Sequence, residues 1–463
     1  MTEQLKLKLN DSKATRWGAL VIVAFTVMAA YYVNDVVAPL KTMLETDLAW
    51  SSTDFGFFTG GYSFLNVFFL MLIWGGLILD RFGIRFTGKL ATILMVGGTA
   101  LEYYAMTGLA GADATLFGIN EIFGYKTGVF VAFAGYSIFG VGAEVAGITV
   151  SKIIAKWFKG KELATAMGVQ VALARIGSQA GYAVAIPLAR AFGISTPVLL
   201  GLVLLLGGMI AFFIFAVMDK KLDKQMEAAA IAAGTEDEEE KFSFKDVKNI
   251  LVNPGFWLIA LLCVLFYSCV FPFQKFASEL MIIKYGINEN VAGTFAGLPA
   301  LGALILTPVF GGFIDKRGKS ASIMLLGSAM LICVHFIYAI PDINYWLVAI
   351  VLMIILGIAF SLVPSAMWPA VAKIFPVSQL GTAYALIFFI QNIGLWGIPT
   401  LIGWVLDAYC ISGKKPDGTN MYDYTVPMCI FTGIACLSLI VALLLKKADK
   451  KYGYKLEEPN IQK

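Results

Sequence analysis

The chain alternates between long apolar stretches and short polar ones. An α-helix needs roughly 20 apolar residues to cross about 30 Å of hydrocarbon, and twelve stretches reach that length. We therefore predict an all-α membrane protein with twelve transmembrane helices, six on either side of a polar segment in the middle of the chain. The predicted spans are Trp17–Met43, Phe55–Leu79, Leu90–Leu109, Val129–Trp157, Leu163–Leu188, Pro197–Met218, Phe256–Ile283, Val291–Ile314, Ser322–Ile340, Tyr345–Ala372, Leu380–Leu406 and Val426–Leu445.

The polar segments divide the chain into five parts. An N-terminal tail (1–16) precedes a six-helix half (17–218), and a second six-helix half (254–446) precedes a C-terminal tail (447–463). The segment between the halves, 219–253, carries lysines near its start and the acidic block Glu236–Glu240. A solvated, partly helical linker is the favoured interpretation, and a binding site for a protein partner is the alternative.

Lysine and arginine are distributed unevenly between the two sides of the membrane. Most of the 35 Lys and Arg residues lie in the tails, the central segment and the loops on the same side. The opposite side holds only Lys41, Lys126, Arg190, Lys284, Lys414 and Lys415. Because cytoplasmic loops carry the excess of positive charge, we predict that both termini are cytoplasmic.

The overall composition excludes a soluble protein. Hydrophobic residues make up 59% of the 463 residues and charged residues 14%, whereas soluble domains average about a quarter charged residues. The six cysteines show no CxxC spacing and His335 is the single histidine, so we expect no metal site and no cofactor. Gly83, Gly88 and Lys89 imitate a P-loop, but Leu90 stands where that motif requires Ser or Thr. We predict that the protein is not an enzyme.

The loops that follow the second and eighth spans carry the same motif. The first copy contains Gly76, Asp80, Arg81, Gly83 and Arg85, and the second contains Gly311, Asp315, Lys316 and Gly318. Glycine permits tight turns, aspartate can accept hydrogen bonds from a helix N-terminus, and basic residues keep the loop in the cytoplasm. The duplication predicts two homologous halves, with these residues as a gating motif.

A second repeat relates the fifth and eleventh spans. The segment that begins at Ala155 aligns without gaps with the one that begins at Ala372, which pairs Arg175 with Asn392. In the preceding spans, Glu144 is paired with Ser361. Parallel repeats of this kind place the substrate site between the halves, near the membrane midplane. One half therefore carries charges at the midplane where the other carries neutral hydrogen-bonding groups.

Glu144 and Arg175 lie near the middle of the fourth and fifth spans. A charge at mid-bilayer costs at least about 2.5–3.5 kcal/mol, so it usually faces a cavity or a partner. One interpretation is a structural ion pair, and the other is that each charge awaits a ligand. A dipeptide zwitterion offers an ammonium group to Glu144 and a carboxylate to Arg175, and its two residues span about 7 Å.

The duplicated motif, on twelve predicted spans, resembles the major facilitator superfamily over nearly the whole chain. Longer strings are similar to the branch of that superfamily that includes lysosomal dipeptide transporters: WFKGKEL (157–163), ARIGS (174–178), SLVPSAMWPAVA (361–372), QLGTAY (379–384) and IQNIG (390–394). The resemblance implies two pseudo-symmetric six-helix bundles that move dipeptides by alternating access, as a uniporter or with protons. It also implies that an acidic residue on the fourth span and an arginine on the fifth hold the peptide ends. Glu144 and Arg175 match these positions.

The remaining candidate substrate-binding residues are Tyr62, Lys275, Trp368, Gln391 and Asn392. Lys275 could meet a second carboxylate or extend toward the membrane surface. The alternative function within the superfamily is exchange of small organic or inorganic anions, in which Arg175 and Lys275 would bind the anion and Glu144 would repel it. A membrane-embedded enzyme and a signalling receptor are the alternatives from other classes.

The loops predicted to face outward contain no Asn-x-Ser/Thr sequon, and the N-terminal tail has no acidic dileucine signal. Lysosomal membrane proteins normally need a glycan coat, so we expect a multi-pass protein of the bacterial cytoplasmic membrane, or of the lysosomal membrane if the chain is eukaryotic. The expected partners are a small-molecule substrate, a dipeptide above all, and the lipid bilayer, with no nucleic acid. We expect a monomer, and the sequence leaves the presence of an accessory subunit open.

Overall fold

The computed structural model describes residues 8–111, 114–158, 161–233 and 244–459, and most of them are helical. The first helices are α1 Lys13–Val36, α2 Lys41–Asp47, α3 Ser52–Phe68, α4 Met71–Thr107, α5 Thr127–Trp157, α6 Leu163–Phe192 and α7 Thr196–Ala233. The later helices are α8 Phe244–Val252, α9 Pro254–Tyr285, α10 Glu289–Ala296, α11 Leu298–Arg317, α12 Ser320–Ala339, α13 Trp346–Ile374, α14 Val377–Tyr409 and α15 Thr425–Tyr452.

Two short antiparallel hairpins lie between helices. Strands β1 Glu121–Ile122 and β2 Tyr125–Lys126 precede α5, and strands β3 Ile411–Lys414 and β4 Asn420–Tyr422 connect α14 to α15. The prediction of an all-α protein missed these hairpins. Strands of two to four residues are too short to produce a recognisable alternation of apolar and polar positions.

Among the described residues, nine helices are long and apolar enough to cross a membrane, or ten if the bent pair α3 and α4 counts as one span. These two helices meet at 58°, next to Leu70 in the left-handed conformation (φ 53°, ψ 32°). The bend falls inside the predicted second span, and α4 runs on into the predicted third. The helix α6 is not among the nine, since Gln170, Arg175 and Gln179 lower its hydropathy. The chain is therefore a multi-pass membrane protein.

Corresponding helices pack in the same pairs in the first and second parts of the chain. In the first part, α4 packs on α5 and α7, α1 packs on α6 and α7, and α3 packs on α5. In the second part, α12 packs on α13 and α15, α9 packs on α14 and α15, and α11 packs on α13. Each pair of the first group has its counterpart eight helices later. We call α1–α7 the N-terminal half and α8–α15 the C-terminal half.

The two halves meet along two seams, α3 against α14 and α6 against α10 and α11. The first seam brings backbones into contact. A side-chain carbon added at Gly56 would lie 2.5 Å from the carbonyl oxygen of Pro399, and one added at Gly403 would lie 2.3 Å from that of Ser52. Such an approach requires glycine, so this seam is tightly closed.

Both copies of the duplicated motif form a turn at their last shared glycine. Gly83, which interrupts α4, has φ 73°, and Gly318, which ends α11, has φ 72°. These are left-handed conformations that residues with a Cβ rarely adopt. The spacing of the motif is therefore explained by the same turn at equivalent places in the two halves.

Helices extend into the segments predicted as the partly helical linker and the C-terminal tail. The helix α7 continues to Ala233 and α8 begins at Phe244, while the acidic block Glu236–Glu240 lies outside the described residues. After α15, the chain packs against the turn between α11 and α12. The backbone N–H groups of Lys319 and Ser320 donate to the carbonyl oxygens of Glu457 at 3.1 Å and Leu456 at 3.0 Å, and Leu456 is buried.

Candidate functional site

A cavity of about 580 Å³ lies between the two halves. Side chains of the N-terminal half that line it include Tyr31, Asn34, Thr59, Tyr62, Tyr136, Glu144, Gln170 and Arg175. Those of the C-terminal half include Tyr267, Phe271, Lys275, Trp368, Phe388, Gln391 and Pro399. Of the seven candidate substrate-binding residues, the structure brings six to this cavity, and Asn392 does not line it.

Glu144 faces the cavity from α5. Its Oε1 accepts a hydrogen bond of 2.9 Å from the hydroxyl of Tyr62 on α3. Within the described part of the chain, no lysine or arginine lies within 4.0 Å of this carboxylate. The group is oriented by one neutral donor and has no counter-ion.

Arg175 faces the same cavity from α6. Its guanidinium carbon lies 5.5 Å from the centroid of the Tyr31 ring and 5.0 Å from that of Phe360. Its Nε is buried without a hydrogen-bond partner, and no carboxylate of the described residues forms an ion pair with it. Aromatic faces stabilise a cation weakly and leave its N–H groups available to a ligand.

Lys275, on α9, contacts polar groups of the N-terminal half. Its Nζ donates to the backbone carbonyl oxygen of Asn34 at 2.6 Å and lies 3.2 Å from Oδ1 of Asp35. The hydroxyl of Tyr136 is 3.4 Å away, and Ser178 donates to the other carboxylate oxygen of Asp35. Lys275 therefore forms an ion pair between the halves, beside the cavity, and does not extend to the membrane surface.

The neutral candidates have different surroundings. The indole of Trp368 stacks on Phe388 with ring centroids 4.8 Å apart. Gln391 lines the cavity and accepts from the thiol of Cys263 at 3.4 Å. The amide nitrogen of Asn392 donates to the carbonyl oxygen of Phe388 at 2.9 Å, and its Oδ1 is buried without a partner. The repeat alignment pairs Asn392 with Arg175. In the structure the neighbouring Gln391 faces the cavity instead, and Asn392 does not, because adjacent positions on a helix point in different directions.

A second group of charges lies where α9 meets α2 and the loop between β3 and β4, and we call Lys41, Glu45, Glu279 and Lys415 the buried charge cluster. The Nζ of Lys41 lies 2.5 Å from carboxylate oxygens of both Glu45 and Glu279. Lys415 lies 3.5 Å from Glu45 and 3.6 Å from Glu279. The hydroxyl of Tyr424 also donates to Glu279. Each half supplies one acid and one base, so the cluster joins the halves.

Sequence reasoning did not predict the ion pairs of this cluster or that of Asp35. Lys41 and Glu45 follow the end of α1, where charged residues are ordinarily read as the boundary of a span. The sequence does contain one usable signal, the four-residue spacing of Lys41 and Glu45, which predicts a pair on one helical face. The partners Glu279 and Lys415 are far away in sequence, so no spacing rule could supply them.

The gating-motif residues lie at the end of the halves opposite to the cluster. Asp80 pairs with Lys152 on α5 at 3.0 Å, and Arg85 pairs with Asp223 on α7 at 2.6 Å. Both ion pairs lie within the N-terminal half. The remaining motif residues are Gly76 and Arg81 near the middle of the α3–α4 pair, with Gly311, Asp315 and Lys316 on α11.

The overall arrangement is that of known transporters. It resembles the crystal structures of the nucleoside transporter NupG (TM-score 0.68, 12% identity, 92% of this chain and 98% of that one) and of a peptide transporter, POT, in complex with sulfate (TM-score 0.65, 15% identity, 95% of both chains). It also resembles the xylose transporter XylE from E. coli in an inward-open conformation (TM-score 0.64, 15% identity, 93% of this chain and 96% of that one). At these identities, the similarity shows the fold.

Sequence comparison identifies more specific relatives. The chain is 29% identical over 454 residues to the lysosomal dipeptide transporter MFSD1 of Homo sapiens, covering 95% of this chain and 88% of that protein. It is 26% identical over 441 residues to MFSD1 of Danio rerio, covering 93% of this chain and 86% of that protein. Residues 20–399 and 276–458 match the sequence profile of the Major Facilitator Superfamily. The chain therefore belongs to the Major Facilitator Superfamily and is a membrane transporter related to MFSD1.

Proposed function

We propose that the protein transports dipeptides by alternating access, with Glu144 binding the peptide ammonium group and Arg175 binding the peptide carboxylate. The observation that carries this proposal is that two opposite charges face one cavity without pairing with each other or with any other charge in the described part of the chain. A buried charge without a partner costs several kcal/mol. A zwitterion with its charges two residues apart supplies a partner to both.

The cavity suits a ligand of this size and character. Its volume of about 580 Å³ falls in the range of about 300–1,000 Å³ that small-molecule sites occupy. Aromatic and apolar side chains such as Phe271, Trp368 and Phe388 line it between the polar groups. They can pack against peptide side chains of different shapes without a specific hydrogen bond.

We also propose that the chain crosses the membrane twelve times with both termini in the cytoplasm. The paired packing of the halves supports six crossings in each, with α3 and α4 providing the second and third crossings and α10 and α11 together the eighth. The excess of Lys and Arg on one side supports the orientation.

In that orientation the structure corresponds to an inward-facing state. The cavity extends to Ser151 and Gln170, close to the connection between α5 and α6, which the charge distribution assigns to the cytoplasm. On the other side, the buried charge cluster and the seam between α3 and α14 separate the cavity from the outside.

The similarity to peptide transporters supports peptides as the substrate class. MFSD1 is a lysosomal dipeptide transporter, and one of the structural neighbours is a peptide transporter. Anion exchange is less well supported, because Lys275 is bound by Asp35 and Glu144 would repel an anion at the same site.

A thermal-shift panel on the purified protein tests the proposal. A ligand at about 100 times its Kd adds about 2.7 kcal/mol to native-state stability, so dipeptides should raise the melting temperature. Single amino acids, tripeptides, dicarboxylates and nitrate should raise it less. A response to nitrate or dicarboxylates without a response to dipeptides would favour the anion exchanger.

Uptake into proteoliposomes separates a transporter of dipeptides from a receptor that only binds them. Orientation is tested separately in cells. A cysteine introduced at Gly418, in the loop between β3 and β4, should react with an impermeant thiol reagent applied from outside, and one introduced at Lys450 should not. Reaction at Lys450 alone would reverse the proposed topology.

A further inference from the structure

The connection between α4 and α5 makes two tight turns of the same sequence pattern, LFGI (116–119) and IFGY (122–125). In each turn the Phe and the following Gly have positive φ, 54° and 79° at Phe117 and Gly118 and 51° and 81° at Phe123 and Gly124. The residues that flank the first turn exchange two backbone hydrogen bonds of 3.0 Å, and those that flank the second are paired in β1 and β2. Two positive φ values in succession are the pattern of type I′ turns.

Phenylalanine is an unfavourable residue at both turns. Asn, Asp or Gly usually occupies this position, because a left-handed backbone brings the Cβ of other residues close to a carbonyl oxygen. Both rings are also exposed, Phe117 to 95% and Phe123 to 89%, more than any other large apolar side chain of the described residues. Two costs that recur at equivalent positions of consecutive turns indicate that the rings contact something outside the chain.

Both turns are fixed at the end of the bundle where α4 ends and α5 begins. Thr127, the first residue of α5, donates its backbone N–H to the carbonyl oxygen of Asn120 at 2.9 Å and its hydroxyl to that of Ile119 at 2.8 Å. The ring of Phe123 lies 5.9 Å from that of Phe130, in the first turn of α5. The phenylalanines are therefore held at the level of the membrane-spanning helices' ends.

The surface next to the turns is apolar and aromatic. Tyr125 stacks on Phe57 of α3 with ring centroids 3.9 Å apart, and Phe57 stacks on Phe133 of α5 at 4.0 Å. On the last turns of α4, Leu101 and Tyr104 are exposed and do not line the cavity. Exposed apolar residues of a spanning helix face lipid, and tyrosine near a helix end is typical of the membrane interface. The turns thus continue the lipid-facing surface.

The hairpin between α14 and α15 lies at the same end of the molecule and has a different character. Lys126, after the first pair of turns, donates to the carbonyl oxygen of Ala49, and Lys415 of the second hairpin contacts Glu45, so both adjoin the connection from α2 to α3. The segment 114–125 contains one charged residue, Glu121, whereas 411–422 contains three. An aromatic segment with so little charge suits the apolar side of a bilayer interface.

We propose that the two turns form a membrane anchor, in which Phe117 and Phe123 insert their rings into the boundary between the lipid headgroups and the acyl chains. Because this segment joins α4 to α5, the anchor fixes that end of the N-terminal half relative to the membrane surface. The anchor depends neither on the transported substrate nor on which side of the membrane is cytoplasmic.

Fluorine NMR of the purified protein in lipid nanodiscs tests the insertion, with para-trifluoromethylphenylalanine placed at position 117 or 123. A nitroxide on the lipid acyl chain should broaden both signals, as it broadens the same label at Phe336, which is exposed on the spanning helix α12. A water-soluble gadolinium chelate should act mainly on the label at Asp417, exposed in the second hairpin. Broadening of the 117 and 123 signals by the chelate as at 417 would overturn the proposal. Protection from both agents would place a second copy of the chain on the turns and would also overturn it.

Thiol labelling in liposomes tests the role of the phenyl rings. Asn-Gly is favoured in type I′ turns, so Phe117→Asn/Phe123→Asn should keep the turns and lose the anchor. Ile119→Cys should then react with a charged thiol reagent at least about tenfold faster than it does beside the native phenylalanines, since burial of one ring already changes an equilibrium by that factor. The matched control, Asp417→Cys, should react equally in both backgrounds. No change at position 119, or the same change at both positions, would overturn the anchor.

Discussion

The cavity and the buried charge cluster hold buried charges in opposite ways. In the cluster, each of the two bases lies within 3.6 Å of both acids, and each half supplies one charge of each sign. In the cavity, Glu144 and Arg175 both come from the N-terminal half and have no counter-ion among the described residues. The charges of the cluster are paired with one another without a ligand, whereas the charges of the cavity are not.

The difference indicates different roles for the two regions. A buried charge that is fully paired joins the elements that carry it, and removal of one partner is strongly destabilising. The cluster can open without leaving lone charges, since Lys41 keeps Glu45 in one half and Lys415 keeps Glu279 in the other. The unpaired charges of the cavity gain stability only when a ligand supplies opposite charges.

The largest expected effect is at Arg175. Arg175→Ala should nearly abolish dipeptide uptake into proteoliposomes, and Arg175→Lys should also lose most of it, because an ammonium group cannot make the two parallel hydrogen bonds of a guanidinium. The control on the same helix is Arg190→Ala. Its ion pair with Glu289 is solvent-exposed and should contribute less than about 1 kcal/mol. Near-normal uptake by Arg175→Ala would place the peptide carboxylate elsewhere.

The next largest effect is a loss of stability on removal of Lys41 from the buried charge cluster. Lys41→Met leaves Glu45 and Glu279 without their shared cation, which should lower stability by roughly 3–5 kcal/mol and reduce the melting temperature. The double variant Lys41→Met/Glu45→Gln restores the balance of charges and should recover much of the loss. A melting temperature of Lys41→Met equal to that of the wild type would show that the cluster does not hold the halves together.

A smaller effect is expected at Glu144. Hydrogen bonds to charged groups contribute about 1.5–3 kcal/mol, so Glu144→Gln should weaken binding of zwitterionic dipeptides by roughly ten- to a hundredfold. N-acetylated dipeptides, which lack the ammonium group, should be affected least. Equal loss for both ligands would argue against contact between Glu144 and the ammonium group.

The double variant Glu144→Gln/Arg175→Ala separates ligand binding from a structural pair. If the two residues support only the fold, each single variant should melt early, and the double variant should recover both stability and uptake. If they bind the peptide, the double variant should remain stable and inactive. Calorimetry or thermal shift, together with uptake, distinguishes the two results.

The smallest effect is expected at the gating motif. The ion pair of Asp80 with Lys152 is largely exposed, and exposed pairs contribute about 0.2–1 kcal/mol. Asp80→Asn should therefore leave dipeptide affinity within a few-fold of the wild type, since Asp80 is not among the residues that line the cavity. It should slow uptake if Asp80 changes partners between access states. Lost affinity at an unchanged uptake rate would contradict a gating role.

Much of the architecture could be predicted from the sequence alone. Apolar stretches of membrane-spanning length, the uneven distribution of Lys and Arg, and the duplicated motif predict a multi-pass protein with two related halves. Gly83 and Gly318 occupy matching turns because the same local backbone requirement recurs in both copies. Glu144 and Arg175 stand out because charge is costly in hydrocarbon, whichever fold surrounds it.

Only the tertiary structure decided which of the buried charges have partners. The ion pairs of Lys275 with Asp35 and of Lys41 with Glu279 join residues more than 200 positions apart, and no periodicity along one helix contains that information. Gln391 lines the cavity and the adjacent Asn392 does not, because neighbouring residues on a helix point in different directions. Whether a buried charge is paired, free or neutral depends on the helices packed around it, because the interaction energy is set by distances of a few ångströms.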